Sequence, residues 1–165
     1  METNINELTL NPFKMIGETW CLITAQKDDG SFNTMTASWG GLGVLWGQNV
    51  ATIYVRPQRY TNEFIKASDY FTLSFFNEEY RDKLSLCGSK SGRDIDKVKI
   101  CGFTPIYENG VYFKEAKLVL VCRKLYADAI KPQNFIDKKI ERMCYPLHDY
   151  HEVYIGAIEK VIENK

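Results

Sequence analysis

The chain has 165 residues, 45% of them apolar and 25% charged, an ordinary globular composition with enough length to bury a core without disulfide staples. Its 21 basic and 21 acidic residues balance to a net charge of zero, whereas nucleic-acid binders carry a basic excess. The five cysteines, at irregular spacing and without a C-x-x-C pair, argue against a disulfide framework or a zinc ribbon and fit reduced thiols in a cytoplasmic protein.

Met1 to Pro12 is polar and lacks the basic and apolar regions of a signal peptide. No run of about 18 apolar residues exists, so no membrane span is expected. There is no linker, repeat or low-complexity tract, and one domain over residues 1–165 is expected.

In chain order, Trp20 to Gln26 reads as a strand, Lys27-Asp28-Asp29-Gly30 as a hairpin turn, and Phe32 to Trp39 as the returning strand. Thr34, Thr36 and Ser38 alternate there with Met35, Ala37 and Trp39, and Gly40, Gly41 and Gly43 are expected to break the strand. Asn49 to Val55 is a third strand, stopped by Pro57. Thr61 to Ala67 reads as a short helix with Thr61 as a candidate N-cap. Tyr70 to Phe76 is a fourth strand, Glu78 to Leu86 a helix, Cys87 to Arg93 a Gly/Ser loop, and Asp94 to Lys99 a second short helix. Glu108-Asn109-Gly110 carries an Asn-Gly hairpin signal between two short strands. Ala116 to Ala127 is a long strand, Pro132 to Met143 partly helical or irregular, and His151 to Ile162 the closing strand. Many strands with short connections point to an antiparallel barrel with small helices appended, not to alternating βαβ units.

Three segments carry candidate chemistry. Along Asn33 to Gly41, hydroxyls and small side chains would let a flat heteroaromatic ring approach the strand backbone; an ordinary half-buried strand would look the same. Arg56-Pro57-Gln58-Arg59-Tyr60-Thr61 places two guanidinium forks and a hydroxyl before a helix N-terminus, a phosphate-binding arrangement or a solvated basic turn. Gly88-Ser89-Lys90-Ser91-Gly92-Arg93 has the ingredients of a phosphate cradle or of a flexible surface loop. Gly41-Leu42-Gly43 fails as a dinucleotide fingerprint because Trp46 stands at the third glycine and no amphipathic helix follows. Cys144, His148 and His151 do not have a recognised metal spacing, and no metal is expected. His151, at a strand start, is a candidate active-site donor or a plain surface histidine.

Taken in order, Asn33-x-Met35-Thr36-x-Ser38-Trp39, Val55-Arg56-Pro57-x-Arg59-x-Thr61, Cys87-Gly88-x-x-Ser91-Gly92-Arg93-Asp94-x-Asp96-Lys97 and His151-x-x-x-Ile155-Gly156 resemble the flavin reductase-like, FMN-binding split-barrel family, with the flavoredoxin-like branch nearest. The resemblance spans about Trp20 to Val161. It implies a mainly β, Greek-key split β-barrel, a homodimer, and FMN near the subunit interface. It implies that Met35, Thr36, Ala37, Ser38 and Trp39 line the isoalloxazine ring. Arg56, Arg59 and Thr61 would hold the FMN phosphate, and Ser89, Lys90 and Ser91 would approach that phosphate or the ribityl chain. Flavin:NADH reductases of the family often carry an Asp-His pair before the last strand and a Gly-Glu within it. Here Tyr150 precedes His151 and Ala157 follows Gly156, which leaves a nicotinamide-handling role for His151 open. The expected function is therefore an NAD(P)H-dependent flavin reductase-like oxidoreductase. The alternatives are a flavoredoxin-type electron carrier with a protein partner and a non-redox ligand-binding module.

Overall fold

The computed structural model describes residues 1–164. Nine strands alternate with short helices: β1 (Cys21–Gln26), β2 (Phe32–Ala37), β3 (Gly40–Leu45), β4 (Gln48–Val55), α1 (Tyr60–Ala67), β5 (Tyr70–Phe75), α2 (Arg81–Ser89), α3 (Lys97–Cys101), β6 (Pro105–Glu108), β7 (Gly110–Phe113), β8 (Leu118–Ala129), α4 (Lys138–Cys144) and β9 (Glu152–Glu163). A π-helical turn, Phe13–Glu18, precedes β1. No helix among the described residues is long and apolar enough to cross a membrane.

Seven strands form one sheet in the order β2-β1-β5-β8-β9-β4-β3, and every pairing in it is antiparallel. Its two outer strands, β2 and β3, are consecutive in the chain, joined only by Ser38 and Trp39. Laid flat, six inter-strand gaps would put them about 29 Å apart, while a two-residue link reaches only about 11 Å. The sheet must therefore roll up, bringing its two free edges together at the Ser38–Trp39 end. Two register shifts in β8, at Val121/Cys122 and Lys124/Tyr126, supply local curvature.

Alternation decides which side chains fill the roll. Ile23 and Ala25 of β1, Phe71 and Leu73 of β5, Ile53 and Val55 of β4, and Leu120 and Cys122 of β8 share one interior cluster. Each fully buried side chain of Leu or Phe size contributes roughly 1.5–3 kcal/mol. The outer face of β1 and β8 (Leu22, Val119, Val121) packs in a second cluster with Leu84, Phe103 and Phe113, beneath α2, α3 and the β6–β7 hairpin. Gly156 of β9 faces the ring of Phe71, and a Cβ there would come within 2.7 Å of it, so the interior admits no side chain at that point.

The sheet departs from the sequence reading at the glycines. The strand from Phe32 does end before Gly40, at Ala37, but Gly40, Gly41 and Gly43 then belong to a strand of their own, β3, which pairs with β4 from Gly40–Ile53 to Leu45–Gln48. At Gly40 a Cβ would lie 3.0 Å from the Thr52 carbonyl oxygen, so close strand approach selects glycine over β-branched residues. The turn closing this hairpin, Trp46 and Gly47, has φ of 52° and 69°, the left-handed pair that two-residue hairpins need. At α1, the N-cap is Arg59 and not Thr61, which lies inside the first turn. Cys87 to Ser89, expected in a loop, complete α2, and the second short helix begins only at Lys97, capped by Asp96.

Candidate functional site

Strand β2 is an outer strand, paired on one side with β1, so its other edge keeps backbone donors and acceptors for something else. Two of the cavities near it lie at its opposite ends. They differ in chemistry.

The first cavity, of about 180 Å³, lies between β2, the start of α1 and the segment after α2; Asn33, Met35, Arg59, Thr61, Ser89, Lys90, Ser91, Gly92 and Lys97 line it. Arg59 is the N-cap of α1 in extended conformation, and no side chain caps that helix end. The first N–H groups of α1 are therefore open to an acceptor. The Arg59 guanidinium donates to the Gly88 carbonyl at 2.8 Å and is partly buried, which draws its pKa below the ordinary value. Asn33 Nδ2 donates to Thr61 Oγ1 at 2.8 Å, so the Thr61 hydroxyl keeps its own proton to donate.

Lys97 is buried at 4% exposure. Its Nζ donates to the Thr34 carbonyl of β2 at 2.6 Å and to the Cys87 carbonyl at 3.0 Å. Burial pushes its pKa down to about 8; Cys87 opposes that shift and the Arg59 charge adds to it. The loop after α2 is fastened by Arg93, which pairs with Glu63, donates to the Gln58 carbonyl at 3.3 Å and lies 4.5 Å over the Tyr60 ring. Gly92 is tighter still: a Cβ there would fall 2.0 Å from Asn33 Oδ1. Three cations, hydroxyls and an uncapped helix end meet in a cavity whose lining holds no carboxylate. That donor set fits a phosphate group.

The second cavity, of about 690 Å³, begins where β2 ends; Ser38, Trp39, Leu42, Tyr54, Ile130 and Tyr145 are among its lining residues. Trp39 is half exposed, and its ring lies 5.3 Å from that of His151. His151 is buried, with Nδ1 2.7 Å from the Tyr145 hydroxyl. Burial, reinforced by the Arg56 charge and opposed by Asp149, pushes its pKa down to about 4. The imidazole is therefore neutral across the physiological range. The Tyr145 hydroxyl is pushed up by burial and stays protonated.

Of the residues singled out from sequence, Met35, Arg59, Thr61, Ser89, Lys90 and Ser91 converge on the first cavity, and Ser38 and Trp39 line the second. Between them Ala37 turns into the core, while the Thr36 hydroxyl is taken by the Leu84 carbonyl of α2. Arg56 goes elsewhere. It pairs with Asp149 at 2.6 Å, donates to the Cys144 carbonyl at 2.9 Å and lies 5.2 Å over the Tyr145 ring, at the His151 end. Cys144, His148 and His151 do not form a metal-ligating group among the described residues; the two imidazoles turn to Tyr150 and Tyr145. Sequence reasoning gave no role to Asn33, Lys97 or Tyr145. The first two stand inside the quoted motifs, but nothing in a sequence marks a lysine as buried.

The flavin reductase like domain model matches residues 14–165. No curated protein sequence matches the chain. Among solved structures, flavoredoxin of Desulfovibrio vulgaris (Miyazaki F) is 20% identical, with a TM-score of 0.69 over 100% of this chain and 78% of that one. A protein described as a flavin reductase with split barrel domain, from Shewanella frigidimarina NCIMB 400, is 18% identical, with a TM-score of 0.70 over 98% and 77%. Nitrilotriacetate monooxygenase component B from Bacillus cereus is 15% identical, with a TM-score of 0.69 over 100% and 82%. The rolled antiparallel sheet with its edges joined at Ser38–Trp39 is thus a split barrel, and the chain belongs to the flavin reductase like domain family.

Proposed function

We propose that this chain binds FMN along β2 and works as an NAD(P)H-dependent, flavin reductase-like oxidoreductase. One observation carries the reading: a single outer strand has a carboxylate-free cavity of cations and hydroxyls at one end and a largely apolar cavity under Trp39 at the other. Arg59, Thr61, Ser89, Lys90 and Ser91 would hold the phosphate. The free edge of β2 from Met35 to Ser38 would meet the ring with backbone groups, in place of the Thr36 hydroxyl, which is already engaged. Bound FMN would supply the hydride-accepting and electron-carrying chemistry, and the protein the binding, orientation and electrostatics.

The apolar cavity would admit a nicotinamide and exclude water from it. His151, the proposed catalytic residue there, acts as a neutral hydrogen-bond donor. With Tyr145 donating to Nδ1, the ring proton would sit on Nε2, directed away from that bond. Arg56 and Asp149 would hold this corner in place.

The preorganised first cavity also favours the flavoredoxin-type alternative, because Arg59 and Lys97 are fixed by backbone carbonyls before any ligand arrives, as a retained prosthetic group requires. A homodimer is proposed across the outer strand β3, where Val44 and Trp46 are 73% and 58% exposed. A cytoplasmic location is proposed from the free state of all five cysteines. The functions separate in one assay, NADH or NADPH oxidation by the FMN-loaded protein with excess free FMN. Steady turnover of free flavin supports the reductase. Retained FMN with negligible nicotinamide oxidation supports the carrier and rules out the reductase.

A further inference from the structure

We infer that Lys97 is a nucleophilic amine and that the first cavity takes short-chain phosphorylated aldehydes, which form an imine on Lys97 while their phosphate occupies the cluster of cations and hydroxyls. This goes beyond the flavin reading and rests only on the phosphate-binding character of the cavity.

The bonding at the Lys97 nitrogen sets it apart. Nζ has two acceptors among the described residues, the Thr34 carbonyl at 2.6 Å and the Cys87 carbonyl at 3.0 Å. An ammonium carries three hydrogens, so the protonated group leaves one of them unmatched on a residue only 4% exposed. An unmatched buried donor is costly. A neutral amine carries two hydrogens and one electron pair. Both hydrogens then meet the two carbonyls, and the pair is the one open position at nitrogen. The surroundings favour the same form. Burial first, and then the Arg59 charge, draw the pKa down to about 8 against the opposing influence of Cys87, so about a tenth of the amine is neutral at pH 7. No carboxylate lines the cavity to hold the proton on. Desolvation beside another cation is the setting that makes a lysine nucleophilic toward carbonyl groups. Lys90, in the same lining, is exposed and lacks that setting.

Size and donors define the partner. At about 180 Å³ the cavity is well below the roughly 300–1,000 Å³ of sites for larger ligands, which suits a phosphate carried on a chain of about two or three carbons. Arg59, Lys90 and the hydroxyls of Thr61, Ser89 and Ser91 would hold the phosphate and so keep the aldehyde carbon beside Lys97. The Lys97 electron pair forms the C–N bond, and one N–H proton passes to the carbonyl oxygen. The C–O bond then breaks, and the hydroxyl leaves as water with the second N–H proton. Nothing is oxidised or reduced, so no further reactant is needed. Protonated by solvent, the imine nitrogen regains one hydrogen for one of the two carbonyls.

The test is to treat the flavin-free full chain with glyceraldehyde 3-phosphate, trap the imine with cyanoborohydride, and read the product by intact mass and peptide mapping. One adduct per chain, at Lys97, is expected. Glyceraldehyde, which lacks the phosphate, should label Lys97 at least about tenfold more slowly. Inorganic phosphate and FMN should each protect Lys97 in the parent chain. Lys97→Arg, which keeps the charge and forms no imine, should lose the adduct at an unchanged melting temperature. Adducts spread over exposed lysines with no excess at Lys97, or equal labelling of Lys97 by both aldehydes, would overturn the inference. The two readings fail separately. A Lys97 adduct in a chain that does not bind FMN would support the inference and remove the flavin reading, whereas FMN binding with no Lys97 adduct would do the reverse.

Discussion

The two ends of β2 handle their polar groups in opposite ways. At the Asn33–Met35 end two of the three cations are fixed before any ligand arrives, Arg59 on the Gly88 carbonyl and Lys97 on those of Thr34 and Cys87, and the loop after α2 is buckled to α1 by Arg93. At the Ser38–Trp39 end the charges are turned away from the cavity. Arg56 and Asp149 neutralise each other behind Tyr145 and His151, and a half-exposed indole faces a wide apolar space. The first arrangement suits an anion that stays, the second an apolar group that comes and goes. On the proposed function, retention of the flavin and exchange of reactants would fall to different ends of one strand.

Removing the main cation at the retaining end should have the largest effect. Arg59→Ala loses a charge-assisted donor worth about 2–3 kcal/mol, so FMN affinity should fall about 100-fold in a fluorescence titration. Riboflavin, which lacks the phosphate, should bind the variant and the parent alike. An equal loss for both flavins would erase the distinction between the two ends.

The exchanging end should show itself in the pH dependence of stability. His151 has a folded pKa of about 4 against an unfolded value of 6.5. Between those values the unfolded chain binds the extra proton, so stability is full above about pH 6.5 and is lost as the pH falls toward 4. Between pH 7 and 5 the loss should be about 2 kcal/mol in urea melts, and His151→Asn should flatten it. A parent curve already flat across this window would mean that the imidazole is not held neutral by burial.

Gly92→Ala tests the retaining end through shape alone. A Cβ placed 2.0 Å from Asn33 Oδ1 must push Asn33 off Thr61. FMN affinity should drop about tenfold, the equivalent of one hydrogen bond. Arg56→Ala should have the smallest effect on binding, leaving FMN affinity within about twofold. It should nonetheless raise the His151 pKa, read by NMR titration, because a repelling charge has gone and Asp149 remains. A loss of FMN affinity matching that of Arg59→Ala would return Arg56 to the phosphate.

The sequence made the strands legible wherever turn chemistry and apolar alternation agree, as at Lys27–Gly30 and Asn109–Gly110. It concealed β3, because glycines have little strand propensity of their own, and of the three only Gly40 is held to glycine by close approach to β4. It paired Arg56 with Arg59 by proximity. The chain turns between the end of β4 and the start of α1, so residues three apart point to opposite ends of β2. Lys97 could be quoted as part of a motif, but its burial follows from packing between α2, α3 and β2, which no local pattern records.

The most direct test is the absorbance spectrum of the purified chain after it has been mixed with FMN and passed through gel filtration. A flavin spectrum that travels with the protein, and is lost in Arg59→Ala, is the predicted result. Protein that emerges free of flavin, with no quenching of FMN fluorescence on titration, would contradict the assignment of β2 as a flavin-binding strand.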